Sequence, residues 1–205
     1  MKSFTYILLV FVLLVGCSKE KLSKINPSSN IIAFGDSLTF GYGAPENKSY
    51  PEILKKIIHI NVINEGVNGN TTKDGVDRIT DVIDEYNPSL IIIGLGGNDM
   101  LRKVSESEIR TNLIKMINIS KSKKIQVVLL AIPKPSTLAL VGYLNDAEFY
   151  KEIAKENKVI LIDGVYSTWL SKKEYKSDMI HLNEMGYEKV AEQIAEELKN
   201  LGAIN

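Results

Sequence analysis

Two short segments of the sequence contain residue types that could together cleave an ester. Gly35-Asp36-Ser37-Leu38 supplies a serine hydroxyl, and Asp178-Met179-Ile180-His181 supplies an imidazole three residues after a carboxylate. Serine is a weak nucleophile unless a base removes its proton, and a carboxylate beside the base fixes its tautomer and stabilises the imidazolium. We therefore predict Ser37 as the nucleophile, His181 as the base and Asp178 as the orienting carboxylate.

Two further segments could stabilise the negative charge that builds on a carbonyl oxygen during acyl transfer. Gly96-Gly97-Asn98-Asp99 offers the uncharged amide of Asn98, and Asn68-Gly69-Asn70 offers a glycine whose N–H can approach a substrate closely. One such donor is worth roughly 3–4 kcal/mol. Taken singly, each segment is also what an ordinary turn at a strand end looks like.

The chain offers only two histidines, so the choice of base is narrow. His59 stands between two isoleucines with no carboxylate nearby in sequence, which predicts a packing role, whereas His181 taken alone could also be a surface or capping residue. The one cysteine, Cys17, permits no intrachain disulfide and no cysteine-based metal cluster. The proposed chemistry uses no metal and no organic cofactor, so we predict none.

The segments that could do chemistry follow predicted strands. Apolar runs rich in Ile and Val are typical of parallel strands that are covered on both faces. Helical patterns lie between them, the clearest after Asn183, where apolar residues recur at helical spacing as far as Leu198. This alternation predicts an α/β fold with a parallel sheet between two helix layers and its active groups at one edge. The predicted strands are Ile31–Phe34, Ile60–Asn64, Leu90–Leu95, Ile125–Ala131 and Val159–Ile162.

The amino terminus reads as a targeting segment. A basic residue, a short apolar run and a small residue precede Cys17, so residues 1–16 are predicted to be a signal peptide. Leu14-Val15-Gly16-Cys17 also resembles a bacterial lipobox, which implies cleavage before Cys17 and lipidation of its sulfur; the alternative is a plain signal anchor with an incidental cysteine. We expect residues 17–30 to be a lipidated tether, residues 31–205 the folded domain, and the protein an exported lipoprotein on the periplasmic or cell-surface side.

Charge and composition exclude two other classes of protein. Lys plus Arg and Asp plus Glu number 25 each, so the chain lacks the basic field of a nucleic-acid binder. Hydrophobic residues make up 44%, far from the content of a multi-span membrane protein. The predicted partners are a small ester substrate and, through Cys17, a membrane; the pattern does not define an oligomeric state.

Taken together and in this order, the four segments resemble the GDSL, or SGNH, hydrolase family. The resemblance covers essentially Ile31 to Leu201, and within the family it is nearest to the bacterial thioesterase I, lysophospholipase and arylesterase group, although Leu182 stands where that group often has proline. It implies a three-layer α/β/α sandwich with a five-stranded parallel sheet of flavodoxin-like type. It also implies an oxyanion hole made of the Ser37 N–H, the Gly69 N–H and the Asn98 side chain.

The same resemblance directs attention to the apolar stretch from Pro133 to Leu144, which in that group helps to bind acyl chains. Packing on the core would explain these residues equally well. We expect lysophospholipids or other short and medium acyl esters as substrates, with thioesters chemically feasible. The alternatives are an O-acetyl esterase acting on a polysaccharide and a catalytically silent envelope binding module. The apolar residues of the stretch are Leu138, Leu140, Val141, Tyr143 and Leu144.

Overall fold

A parallel β-sheet forms the centre of the computed structural model, which describes residues 21–136 and 142–205. The five strands run in the order β2-β1-β3-β4-β5, and every neighbouring pair is parallel. This order is that of a flavodoxin-like sheet, as expected. The strands are β1 Asn30–Gly35, β2 Asn61–Gly66, β3 Leu90–Gly94, β4 Gln126–Leu130 and β5 Ile160–Ile162.

Helices cover both faces of this sheet and complete the predicted three-layer sandwich. Helix α2 packs against α8, while α3 packs against α5 and α5 against α6. The helices are α1 Ser37–Phe40, α2 Tyr50–Ile58, α3 Thr72–Tyr86, α4 Gly97–Leu101, α5 Glu106–Ser122, α6 Phe149–Asn157, α7 Ser167–Leu170 and α8 Glu184–Asn200, with a 3₁₀ turn at Lys173–Tyr175.

The core lies between the sheet and the two helix layers. Every residue of the central strand β3 is buried, which is why its sequence is a continuous apolar run. Helix α8 buries the apolar face that its periodicity predicted, and the Asn183 side chain caps it by accepting a hydrogen bond from the Gly186 N–H at 3.0 Å. Thr71 caps α3, because its side chain accepts a hydrogen bond from the N–H of Asp74, the third residue of the helix.

The carboxyl ends of the three central strands are aligned, and this alignment gathers the loops that carry the polar segments. Gly35 of β1 pairs in register with Gly66 of β2 and with Gly94 of β3. A side chain at Gly35 would overlap the Thr39 hydroxyl, and one at Gly66 would overlap the backbone of Phe40. The glycines therefore let α1 sit directly on the strand ends.

The segment before β1 corrects the predicted tether over residues 17–30. The Leu22 N–H donates to the Leu201 carbonyl at 3.1 Å, and the Ile25 N–H donates to the Ala203 carbonyl at 2.8 Å. Ile25 is only 3% exposed and belongs to the core. The folded domain thus begins near Leu22 rather than at Ile31, because Ile25 is buried in the core beside the residues that follow α8.

The predicted signal peptide at residues 1–16 and the predicted lipidation site Cys17 lie outside the described residues. Within the two ranges that the structure covers, no helix combines the length and the apolar composition that crossing a bilayer requires.

Candidate active site

Ser37 stands on a tight turn between β1 and α1. It follows the buried Asp36, whose carboxylate accepts a hydrogen bond from the Leu38 N–H at 3.0 Å and so caps the short helix. Gly41, with φ of 96°, ends that helix in the left-handed conformation and donates its N–H to the Ser37 carbonyl. The turn places the hydroxyl of Ser37 at the first helical position, next to a cavity at the sheet edge.

A continuous chain of hydrogen bonds links Ser37 to the two predicted partners. His181 Nε2 lies 3.0 Å from Ser37 Oγ, and His181 Nδ1 lies 2.7 Å from Asp178 Oδ2. These are the contacts that a general base and its orienting carboxylate require. The structure therefore brings together three residues that are separated by more than half of the chain.

The electrostatics of Asp178 keep its carboxyl group ionised. Partial burial raises the pKa of Asp178, but hydrogen bonds from the His181 side chain and from the backbone N–H groups of Ile180 and His181 outweigh burial and hold the pKa below its usual value. An ionised carboxylate can stabilise the imidazolium that forms when histidine takes a proton.

Tyr42 also contacts the base, and the sequence analysis missed it. Its ring lies 4.5 Å from the imidazole of His181, centroid to centroid, and its carbonyl accepts a hydrogen bond from the Tyr187 hydroxyl at 2.8 Å. Tyr42 thus restrains the imidazole on one face. No sequence signal points to this contact, since it depends on how the loop after α1 folds across the loop that carries His181.

Asn98 lies on the opposite side of the cavity from the base, in the first turn of α4. Its side-chain amide donates to the Asn70 carbonyl at 2.9 Å. A primary amide carries two N–H donors, so one can hold the Asn70 carbonyl while the other serves a substrate oxygen. The next residue, Asp99, is 1% exposed and accepts hydrogen bonds from the backbone N–H and hydroxyl of Thr72. These contacts tie the loop after β3 to the start of α3.

Gly69 occupies the adjacent loop but is one step removed from the cavity. Its φ of 79° lies in the left-handed region, and its carbonyl accepts from the Arg102 side chain at 3.0 Å. Among the described residues, those that line the cavity include Ser37 and Asn98 but not Gly69. Gly69 reaches the site through its neighbour Asn70, whose carbonyl receives the Asn98 amide.

Arg78 holds this side of the site together, and the sequence analysis did not single it out. Its guanidinium donates to the Gly35 carbonyl at 3.0 Å, the Glu65 carbonyl at 2.8 Å and the Asn70 side chain at 2.9 Å. It also lies 3.8 Å from the centre of the Phe34 ring. A lone arginine on the otherwise apolar face of α3 was the signal that could have revealed it.

The cavity beside Ser37 has a volume of about 630 Å³ and is mostly apolar. Of the stretch predicted to bind acyl chains, Leu144 lines it, Tyr143 is 70% exposed to solvent, and residues 137–141 lie outside the described chain. Met179 and Ile180, between the two polar members of their segment, complete the wall. The apolar lining consists of Leu38, Leu101, Ile132, Pro133, Pro135, Leu144, Leu170, Met179 and Ile180.

Asp36 places a second carboxyl group under the nucleophile. Burial raises its pKa to about 7, the Leu38 N–H opposes that rise, and the nearby carboxylate of Asp99 adds to it. The other histidine plays no part here. His59 is an exposed residue that ends α2 in the left-handed conformation at the opposite edge of the sheet, so the predicted packing role for it is wrong.

Comparison with known proteins identifies the family. Residues 33–189 match the model of the GDSL-like lipase/acylhydrolase family. The chain belongs to that family. It is 30% identical to an arylesterase of Vibrio mimicus over 177 residues, which cover 83% of this chain and 88% of the relative. It is 24% identical to the thioesterase 1/protease 1/lysophospholipase L1 of Escherichia coli K12, with 85% of each chain covered.

Solved structures agree with this membership. The SGNH-hydrolase family esterase AlinE4 superposes with a TM-score of 0.65 and 29% identity, covering 86% of this chain and 98% of that one. The predictions of family, fold and ester-hydrolysing activity are thereby confirmed. This GDSL hydrolase carries its family's four segments at the edge of the sheet where the geometry above places them.

Proposed function

We propose that this GDSL hydrolase cleaves carboxylic esters through an acyl-enzyme on Ser37. The observation that carries the proposal is the hydrogen-bonded chain from Ser37 through His181 to Asp178, which faces an apolar cavity. The serine oxygen attacks the ester carbonyl carbon while His181 Nε2 takes the hydroxyl proton. The alcohol then leaves with that proton, and the acyl group stays on the serine.

Water completes the cycle at the same base. His181 takes a proton from a water molecule while the oxygen of that water attacks the acyl carbon. The proton then passes from His181 to Ser37 Oγ as the acid departs. In both steps negative charge develops on the former carbonyl oxygen. The Asn98 amide and the backbone N–H groups of Ser37 and Gly69 are the proposed donors to that oxygen, so this mechanism uses no metal and no organic cofactor.

The substrates that fit best are lysophospholipids and simple esters with a short or medium acyl chain. An apolar wall favours an acyl chain by removing its surface from water, at about 25 cal/mol per Å². Arylesterase and lysophospholipase are also the names of the two relatives above. Thioesters would undergo the same attack at the carbonyl carbon.

A fluorophosphonate probe and a substrate panel test this proposal together. The probe should label the wild-type protein and fail to label Ser37→Ala. In a panel of 4-nitrophenyl esters, kcat/KM should rise from acetate to a medium chain, and a lysophospholipid should be hydrolysed. A preference for acetylated polysaccharide over every acyl ester would favour the sugar esterase, and a lack of labelling and turnover would favour a silent binding module.

We further propose that the protein is an exported lipoprotein anchored through Cys17. The support is the position of the sole cysteine directly after the apolar run and a small residue. Two acyl chains on one anchor suffice for stable membrane binding. Cells fed an alkyne-tagged fatty acid should label the wild-type protein and not Cys17→Ser, and equal labelling of both would contradict the anchor.

A further inference from the structure

The chain enters the folded domain at the edge of the sheet opposite the cavity. The Leu22 N–H is bound to the Leu201 carbonyl, and Ser23 pairs with the side chain of Gln126, the first residue of β4. Leu22 comes only five positions after Cys17, and an extended chain spans at most about 3.6 Å per residue. A lipid on Cys17 would therefore keep this edge within about 18 Å of the bilayer surface.

This entry edge is strongly basic. We define it as residues 21–29, the last four residues of α2, α3, α5, α6 and α8, and the residues between each of these helices and the next strand or the end of the chain. It contains ten lysines and only four acidic residues, whereas the whole chain has a formal charge of zero, so the remainder carries the opposite excess. The lysines are Lys21, Lys24, Lys55, Lys56, Lys121, Lys123, Lys124, Lys155, Lys158 and Lys199.

The lysines are available to an external surface, although several also have a local role. A cation near the carboxyl end of a helix complements the helix dipole, which accounts for lysine in several of these last turns. Lys123 pairs with Asp84, and Lys121 donates to the Asn157 carbonyl. All ten side chains are nevertheless exposed, and their combined field decays over about 8 Å at physiological ionic strength. The anchor permits any separation up to about 18 Å, so a phosphate-rich surface can approach the edge to within the roughly 8 Å over which this field acts.

The cavity lies at the other end of the strands. Ser37 follows the last residue of β1, while the entry edge precedes its first residue. The strand has six residues, which span about 20 Å at roughly 3.3 Å each. If the entry edge rests on the membrane, the mouth of the active site opens away from it.

We propose that the entry edge docks on an anionic lipid bilayer and that the active site takes its ester from the aqueous phase rather than from the membrane that holds the anchor. The proposal rests on the lipid anchor proposed above. The substrates are then esters that are soluble as monomers, or esters on a second surface that lies opposite the anchoring membrane. The partner is a bilayer whose headgroups carry negative charge.

The orientation can be measured because a lipidated Cys17 leaves a newly introduced cysteine as the only free thiol. The full chain, lipidated in a bacterial host, is given a cysteine by Asn200→Cys at the entry edge or by Tyr143→Cys beside the cavity. Each is labelled with a fluorescent donor and reconstituted into vesicles that carry an acceptor on their headgroups. Energy transfer should be several-fold higher from position 200, and equal or higher transfer from position 143 would overturn the proposal.

The charge requirement has its own comparison. Vesicles containing phosphatidylglycerol should increase the difference between the two positions relative to pure phosphatidylcholine, since each lysine near an anionic surface contributes about fivefold to binding. Neutralising the edge with Lys24→Gln, Lys124→Gln and Lys155→Gln should abolish that increase. The matched control is Lys103→Gln, Lys134→Gln and Lys173→Gln, which should retain it. Docking on anionic lipid would be overturned if phosphatidylglycerol left the difference unchanged for the native edge, or if it increased the difference equally for the neutralised edge.

Two checks keep this test separate from the earlier proposals. The lipidated wild-type chain should take up no thiol dye, because the lipid occupies the sulfur of its only cysteine, Cys17. Labelling of the wild type would contradict the anchor rather than the orientation. Turnover of a soluble ester by Asn200→Cys and by both sets of lysine variants before reconstitution should match the wild type, which tests the hydrolase independently of its orientation.

Discussion

The two sides of the active site are built in different ways. The side that carries Asn98 rests on buried residues and is joined to its surroundings by many hydrogen bonds. Asn98 itself is half-buried, and Asp99 beside it is 1% exposed. The side that carries the base is open, with the Asp178 side chain 45% exposed and Met179 69% exposed. The oxyanion side is held by the ends of β1, β2 and β3, whereas the base side is a short loop before α8.

The two sides differ because one holds the oxyanion donors in place and the other transfers protons. Donors that stabilise an oxyanion contribute most when they are fixed before the reaction begins, and a buried network achieves that. A base must exchange protons with substrate and water, so it benefits from access. His181 is positioned locally, by Asp178 within its own loop and by the Tyr42 ring. We therefore expect changes on the base side to affect rate without stability, and changes on the oxyanion side to affect both.

The largest effect is expected from removing the base. His181→Ala should lower kcat by about 10⁴-fold or more, because the nucleophile, base and carboxylate act as a unit. The melting temperature should stay close to that of the wild type, since the imidazole, although only 13% exposed, lies in a short loop that also carries the exposed Asp178 and Met179. His59→Gln is the matched control and should have near-normal turnover; the reverse pattern would remove His181 from the mechanism.

Removal of one oxyanion donor should have the next largest effect. Asn98→Ala should lower kcat by about a hundred- to a thousandfold with little change in KM. The melting temperature should also fall somewhat, because the Asn70 carbonyl loses its donor. Steady-state kinetics and a thermal melt on one purified variant measure both quantities, and wild-type kcat would refute the assignment of Asn98.

A substitution at Arg78 tests whether the oxyanion donors are positioned through the backbone segments that the guanidinium holds together. Arg78→Lys keeps the charge but loses the fork that contacts Gly35, Glu65 and Asn70 together. We expect kcat to fall by about tenfold and KM to stay constant, because less than a whole donor is lost. Arg110→Lys, at a half-buried arginine that pairs with Glu106 and Glu152 away from the site, is the control. Equal effects of the two substitutions on kcat would assign Arg78 a purely structural role.

Much of this arrangement could be predicted from the sequence. Buried parallel strands read as continuous apolar runs, so the sheet and the position of each polar segment after a strand followed from composition. The order of the segments also sufficed to place Ser37, Asn98 and His181 at one edge of the sheet.

What could not be predicted depends on contacts between distant elements. Arg78 acts through the register of β1 and β2, and Tyr42 through the fold of a loop across another loop. Ile25 is a single apolar residue in a polar stretch, so no periodicity marked it as part of the core. The pKa of Asp36 is raised by burial beneath α1, which a Gly-Asp-Ser turn does not reveal.

The smallest effect on turnover, but an informative one on stability, is expected from Asp36. Its pKa is raised to about 7 in the folded protein against 3.8 for an ordinary aspartic acid, so between these values the folded state binds a proton that the unfolded state has released. Stability therefore falls as pH rises through this range. Asp36→Asn mimics the protonated carboxyl and can still accept the Leu38 N–H, so it should lack this dependence and keep turnover within a few-fold of the wild type.

The measurement is the difference in unfolding free energy between wild type and Asp36→Asn at several pH values. The wild type should lose on the order of 2 kcal/mol relative to the variant between pH 5 and pH 8, which corresponds to several degrees in melting temperature. Groups common to both proteins cancel in this difference, so the change reports on Asp36 alone. Asp74→Asn should show no such loss over the same range, because hydrogen bonds from the Thr71 side chain and backbone lower the pKa of Asp74 and its carboxyl is ionised throughout. If the difference in unfolding free energy between wild type and Asp36→Asn stays constant with pH, the buried carboxyl of Asp36 ionises as readily as a carboxyl on the open side of the site.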